Sequence, residues 1–166
     1  MSSPVHPNVA RVVAAAAAAG LAIEVQRFPE ETRTAADAAR AVGCDVAQIV
    51  KSLVFMADGQ PVVALVSGSD RLDATRLAAE LGAGNVRRAT GDEARVATGY
   101  AIGGVPPIGH ATAVPVLMDV ALLGHREVWA AAGLPDAVFR VDPRALAEAA
   151  HARIAAVAEL PSDEDR

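Results

Sequence analysis

Two apolar runs, Ser52–Ala57 and Pro61–Ser67, stand on either side of Asp58-Gly59-Gln60. Asp-Gly between such runs supplies the positive φ angles of a tight turn, so this pattern predicts a β-hairpin. Ala22–Phe28 alternates apolar and polar positions as a half-buried strand does, and Pro29-Glu30-Glu31 then turns the chain. Val86, Val114–Val120, Glu127–Ala132, Ala137–Val141 and Ile154–Ala158 predict further strands. Helix signals lie between them. Asn8 caps a helix over Val9–Ala19 with Gly20 just past its end, and Thr34 or Thr32 caps Ala35–Val42, which stops at Gly43. Asp45 caps a further short turn, Asp73 starts a helix that runs through Leu81 to Gly82, and Asp92–Thr98 reads as a helical turn. Asp142-Pro143 opens a last helix to about His151, because Asp caps and Pro suits the first turn. Strands joined by hairpins as well as by helices predict a mixed sheet in one α+β domain, not a doubly wound parallel one.

Composition narrows this picture. The 166 residues suit a single domain, and 52% are hydrophobic but only 3% aromatic, so alanine, valine and leucine fill the core. No apolar run approaches the ~20 residues of a membrane span. Ala14–Ala19 is too short and lacks the basic start and cleavage pattern of a signal peptide. With one cysteine, Cys44, there is no internal disulfide, and the expected location is the cytoplasm. The net charge is −5, and the tail from Glu159 to Arg166 holds four acids and one base, leaving −2 for the rest. Arg71–Arg95 carries five arginines against four acids, a weakly basic middle. DNA is therefore not an expected partner, whereas capture of one end of a nucleic acid stays open.

Chemistry gathers in two places. Gly99–His110 holds four of the thirteen glycines and two of the ten prolines. Such a loop exposes backbone N–H groups that can meet a phosphate or a developing oxyanion; it also reads as an ordinary connection between buried strands. Lys51 is the only lysine, the other fourteen basic residues being arginine, and it opens an apolar strand. It is either a compact site cation or a strand-end lysine snorkelling to water. Cys44 has no base beside it and reads as a small apolar residue. His110 adjoins the glycine loop, whereas His6, His125 and His151 fall at ends or turns. Asp119, ending an apolar strand, serves equally as buried acid, cap or ligand. No HxxxH or HxxE spacing and no phosphate-binding fingerprint occur, so no metal and no cofactor are expected. A lone cation and a loop of backbone donors suit a substrate that brings its own reactive group.

Gly43, Gln48–Phe55, Leu72-Asp73, Leu77-Ala78, Leu81-Gly82, Thr98–Tyr100, Gly103–Gly109 and Asp119 together resemble the YbaK/prolyl-tRNA-synthetase-associated editing-domain family. The likeness covers roughly residues 8–158, with the domain taken as 1–158 and an acidic tail as 159–166. It implies a mixed, partly barrel-like sheet surrounded by helices. The implied activity is a free-standing aminoacyl-tRNA deacylase that hydrolyses the ester of a mischarged tRNA, most often prolyl-tRNA. The acceptor end of that tRNA is the implied partner, and a synthetase is a further candidate. By this resemblance Lys51 holds the terminal adenosine or its phosphate, and Gly103 and Gly104 offer N–H groups to the scissile carbonyl. The ribose 2′-hydroxyl assists attack. Thr34 helps to select the side chain, Ser52 and Tyr100 line the same cleft, and Pro107, Gly109, Asp119 and Asp136 complete the candidate substrate-binding positions.

Three positions depart from the family pattern. Pro106 replaces a small polar residue before Pro107, which removes a donor. Ala131 and Val138 are apolar where some members carry serine and His or Asp, with Asp136 nearby. A non-catalytic aminoacyl-tRNA or nucleotide-binding module, and hydrolysis of a small ester or thioester, are the competing readings.

Overall fold

The computed structural model describes residues 5–28 and 34–160. Among them lie eight strands and five α-helices. A five-stranded mixed sheet is built around the hairpin of β2 (Val50–Ala57) and β3 (Gln60–Ser67). Asp58 and Gly59 take φ of 49° and 82° at its turn, the left-handed pair that matches the twist of the flanking strands. The hairpin begins two residues before the expected Ser52. β4 (Val86–Arg88) pairs antiparallel with the outer edge of β2. On the other side β5 (Val116–Asp119) lies parallel to β3, and β8 (Arg153–Ala155) parallel to β5. A second, antiparallel sheet has the order β1 (Val25–Arg27), β7 (Ala137–Val141), β6 (Val128–Ala131). One parallel bridge, Ile49 to Trp129, ties the two sheets at a corner, so the expected barrel-like sheet is two joined sheets and not a closed barrel.

β3 is central and buried on both faces, which explains its unbroken apolar run. Val63 and Leu65 face a core shared with the second sheet and α1 (Pro7–Ala18), where Val12, Tyr100, Met118 and Phe139 meet. Val62, Ala64 and Val66 face a smaller cluster with Leu77 of α3 (Ala74–Leu81), Leu117 and Val157. Trp129, Ile49 and Val138 pack under α2 (Ala35–Val42). The remaining helices are α4 (Gly91–Thr98) and α5 (Pro143–Ala149).

Most caps follow the sequence expectation. Thr34 accepts from the Asp37 N–H at 3.1 Å, Asp73 caps α3, Asp142 caps α5, and Gly43 and Gly82 close their helices in the left-handed region. The alternative cap Thr32 and the Pro29-Glu30-Glu31 turn lie outside the described residues, as do residues 161–166 of the tail. The cap of α1 needs correction: His6, not Asn8, holds it, its Nδ1 accepting from the Asn8 N–H at 3.0 Å. The Asn8 side chain is engaged elsewhere, donating to the Gly133 carbonyl at 3.1 Å. The expected turn at Asp92–Thr98 is a full helix from Gly91, because Thr90 and Glu93 exchange side-chain and backbone hydrogen bonds as a capping box. β1 is shorter than Ala22–Phe28, since only Val25–Arg27 finds a partner in β7 while Leu21 and Ile23 pack on the core. Among the described residues no helix is long and apolar enough to cross a membrane.

Candidate active site

The Ile49–Trp129 bridge fixes where the cleft forms. Beyond it β2 and β6 diverge, and β4 pairs with β2 only at Phe55–Ala57. The outer edge of β2 at Lys51–Leu53 thus has no strand partner among the described residues. A cleft of about 290 Å³ opens there. Its floor comes from Val50 and Ser52, with Lys51 on the rim; Trp129, Ala131 and Val138 form one wall, α2 contributes Ala35 and Ala38, and Ile102 and Gly103 close the mouth. Lys51 and the glycine loop, about fifty residues apart in sequence, therefore border one cavity.

The Lys51 ammonium donates to the carbonyl of Asp70 in the loop after β3. An ammonium has three N–H donors, so two remain for a ligand. Burial lowers its pKa; the nearby Asp70 opposes that, and the charges of Arg88 and Arg71 add to it. The cation thus sits half-buried, with the Asp70 carboxylate on one hand and two arginines on the other. Ser52 reaches the same cleft, and its buried Oγ has no hydrogen-bond partner.

Three hydrogen bonds brace loop 99–110. The Tyr100 hydroxyl donates to the Gly109 carbonyl at 2.9 Å, His110 Nε2 sits 2.7 Å from the Pro106 carbonyl, and the Ala111 N–H donates to Thr98 at 2.8 Å. Gly103 has φ of 97°, a left-handed conformation that suits glycine, and borders the cleft. Gly104 has a different place from the one expected. Its N–H donates to the Ala101 carbonyl at 3.0 Å, and a Cβ there would lie 2.9 Å from Leu134 Cα. Gly104 is glycine because two backbones touch, and its amide is already used within the turn.

The other expected residues divide clearly. Thr34 lines the cleft while also capping α2, and the apolar pair Ala131 and Val138 face each other across β6 and β7 in its wall. Tyr100 is buried as an internal strut with the Arg11 guanidinium 5.1 Å from its ring centroid, and does not border the cleft. Pro107 is buried, and Gly109 packs against α1, its Cβ position being 3.2 Å from Ala15 Cβ. Asp119 is buried with its carboxylate accepting from Ala121, Val157 and Ala158 N–H groups at 3.2, 2.9 and 3.1 Å. That leaves it a structural latch outside the cleft. Asp136 pairs with Arg27 at 3.1 Å, next to the cleft residue Pro135. Cys44 also lies outside the cleft, and burial and then the Asp45 charge push its thiol up, away from a thiolate.

Sequence reasoning missed Arg88 and Trp129, both of which line the cleft. Being the sole tryptophan marked Trp129 for attention, but only the sheet corner brings it to β2.

His110 leads to a pH prediction. Burial lowers its pKa from 6.5, with the hydrogen bond to Pro106 opposing. A histidine whose folded value is depressed gives stability that is full above about pH 6.5 and is lost as pH falls toward the folded value. Thermal unfolding between about pH 7 and pH 5 should show a larger drop in Tm for the wild type than for His110→Gln, which cannot titrate. Equal drops would place the pH sensitivity elsewhere.

Comparison with known proteins agrees with this geometry. Residues 29–149 match the model of the aminoacyl-tRNA editing domain. The chain is 28% identical over 131 residues to YwhH, an uncharacterized protein of Bacillus subtilis, covering 79% of this chain and 83% of that one. It is 39% identical over 88 residues to the proline–tRNA ligase of Citrifermentans bemidjiense, covering 53% of this chain but only 15% of the ligase. The crystal structure of a proposed trans-editing enzyme for prolyl-tRNA synthetase superposes with a TM-score of 0.89 at 44% identity, covering 95% of this chain and 100% of that one.

Proposed function

Because the chain belongs to the aminoacyl-tRNA editing-domain family, we propose that it is a trans-editing hydrolase that removes a wrong amino acid from tRNA, with tRNA(Pro) the leading substrate. The observation that carries this reading is the shared cleft: the only lysine and the Gly103 loop border the same cavity. The acceptor end is the partner, and a prolyl-tRNA synthetase is the natural source of the mischarged substrate. The cleft walls at Ala35, Ala38, Ala131 and Val138 are small and apolar, which favours a small uncharged side chain over a charged one.

In this mechanism Lys51 binds the phosphate of the terminal adenosine and the aminoacyl group lies against Trp129 and Ala131. Water adds to the ester carbonyl, with the ribose 2′-hydroxyl beside it positioning the attack. The developing oxyanion takes a hydrogen bond from the Gly103 N–H. The bond from the acyl carbon to the ribose oxygen then breaks, that oxygen takes up the proton given up by the attacking water, and the products are the free amino acid and a tRNA with its hydroxyl restored. No side chain needs to act as nucleophile. Gly104 contributes by setting the turn, since its own N–H is spent on Ala101.

A panel of mischarged tRNAs tests the reading. The wild type should release the amino acid well above the uncatalysed rate from at least one of them, and Cys44→Ala should match it within about twofold. A second reading, a binding module that leaves the ester intact, draws on the replacement of a loop donor by Pro106 and on the occupied Gly104 amide. It predicts retention of every ester at the uncatalysed rate. Turnover of free aminoacyl esters as fast as of aminoacyl-tRNA would instead favour a small-ester hydrolase.

A further inference from the structure

The cleft does not end at the β2 edge. Lys51, Leu53 and Arg88 border it and also border a second groove on the opposite face of the sheet, lined further by Phe55, Arg71 and Leu72. Alternation along β2 explains the arrangement: Val50, Ser52 and Val54 face the cleft side, while Lys51, Leu53 and Phe55 face the groove. Lys51 stands on the rim between the two. Three cations thus line one concave track, against a single acid, Glu159, at its end.

Neither arginine of this track holds a carboxylate among the described residues. Arg27, Arg40, Arg76, Arg87, Arg140 and Arg153 each hold a carboxylate. Among the described residues the Arg71 guanidinium has no ion pair, and the Arg88 guanidinium rests on the Phe55 ring, 5.4 Å from its centroid. Both arginines act on the Lys51 ammonium, against the pull of the Asp70 carboxylate. Arg71 is held in place by its backbone, whose carbonyl accepts from the Glu159 N–H at 2.7 Å, and its neighbour Leu72 bridges to Ala158. The guanidinium itself is left exposed. Three cations outnumber the two nearby acids, Asp70 and Glu159, and such a surplus along a concave track forms a receptor for a chain of anions, one that leads into a cleft.

We propose that this groove carries the single-stranded RNA immediately preceding the esterified adenosine, with Arg71 and Arg88 on its phosphodiesters and Lys51 at the turn into the cleft. The inference rests on the editing reading for the identity of the strand, and it adds a path by which the substrate enters. Single-stranded RNA suits the groove better than a duplex, because the track is short and bends around one strand edge.

Binding separates this proposal from the deacylase reading. The probe is a 5′-fluorescein-labelled single-stranded RNA of eight nucleotides ending in CCA, titrated by anisotropy at several salt concentrations. Arg71→Glu should weaken binding about tenfold and lower the salt slope by about 0.7, the share of one phosphate contact on a single strand. Arg144→Glu makes the same charge change on α5, remote from the groove in both lining and sequence, and should leave the affinity within about twofold. Equal losses for the two variants would reduce the effect to net charge and overturn the groove, as would an unaffected Arg71→Glu. If the wild type leaves every mischarged ester intact while Arg71→Glu alone loses the oligonucleotide, the groove stands and the hydrolase reading falls. If esters are cleaved but the oligonucleotide binds both variants equally, the reverse holds.

Discussion

Lys51→Ala is expected to lower kcat/KM for deacylation about 100-fold or more while leaving the fold intact. Lys51 is the only lysine, it borders the cleft, and its ammonium spends one N–H on the Asp70 carbonyl, leaving the others for substrate. In the proposed mechanism its removal deletes a desolvated charge–phosphate contact, and such contacts are worth more than exposed ones. Lys51→Arg should restore little: a guanidinium is wider and planar, and Arg88 and Arg71 already press on this site with the same charge. Steady-state assays with one mischarged tRNA decide the point, with thermal melts as the control for folding. A Lys51→Ala enzyme within threefold of the wild type would remove the lysine from the mechanism.

Asp119→Ala should destabilise the protein by about 3 kcal/mol without entering the chemistry. The buried carboxylate collects three backbone N–H groups, one from Ala121 after β5 and two from Val157 and Ala158 after β8. Alanine leaves all three without this acceptor, the Val157 amide in a buried place and the Ala121 and Ala158 amides in partly buried ones. Each orphaned amide costs about 1–3 kcal/mol, and the sum is reduced because the strand ends can relax toward water. Asp119→Asn keeps one carbonyl acceptor and should lie between the two. Urea unfolding reads the difference. A loss below about 1 kcal/mol would show that these amides find other partners. Deacylation measured well below the melting temperature should change far less than for Lys51→Ala.

What could be read from the chain was local chemistry. Asp58-Gly59 determines its own turn, and Thr34, Asp73 and Asp142 cap helices through bonds that reach only two or three residues. Lys51 was legible for a different reason, since composition singled it out before any geometry was known. The harder cases are residues whose partners lie far along the chain. Nothing near Trp129 announces that β6 meets β2 through Ile49. An acid ending an apolar strand looks the same whether it faces a ligand or latches two strand ends, and Asp119 does the second. Gly104 shows the limit most sharply. A glycine needed for a backbone contact with Leu134 and one needed to offer its amide have the same letter, and only the Ala101 bond tells them apart.

The solitary primary amine of the side chains makes this cleft chemically addressable. An acylating reagent such as an N-hydroxysuccinimide ester has one side-chain target, at Lys51, apart from the α-amino terminus. The lowered pKa leaves more of it in the reactive free-base form near neutrality. Mass spectrometry of the labelled peptide then becomes an occupancy gauge, because a molecule seated in the cavity shields the amine and slows its modification.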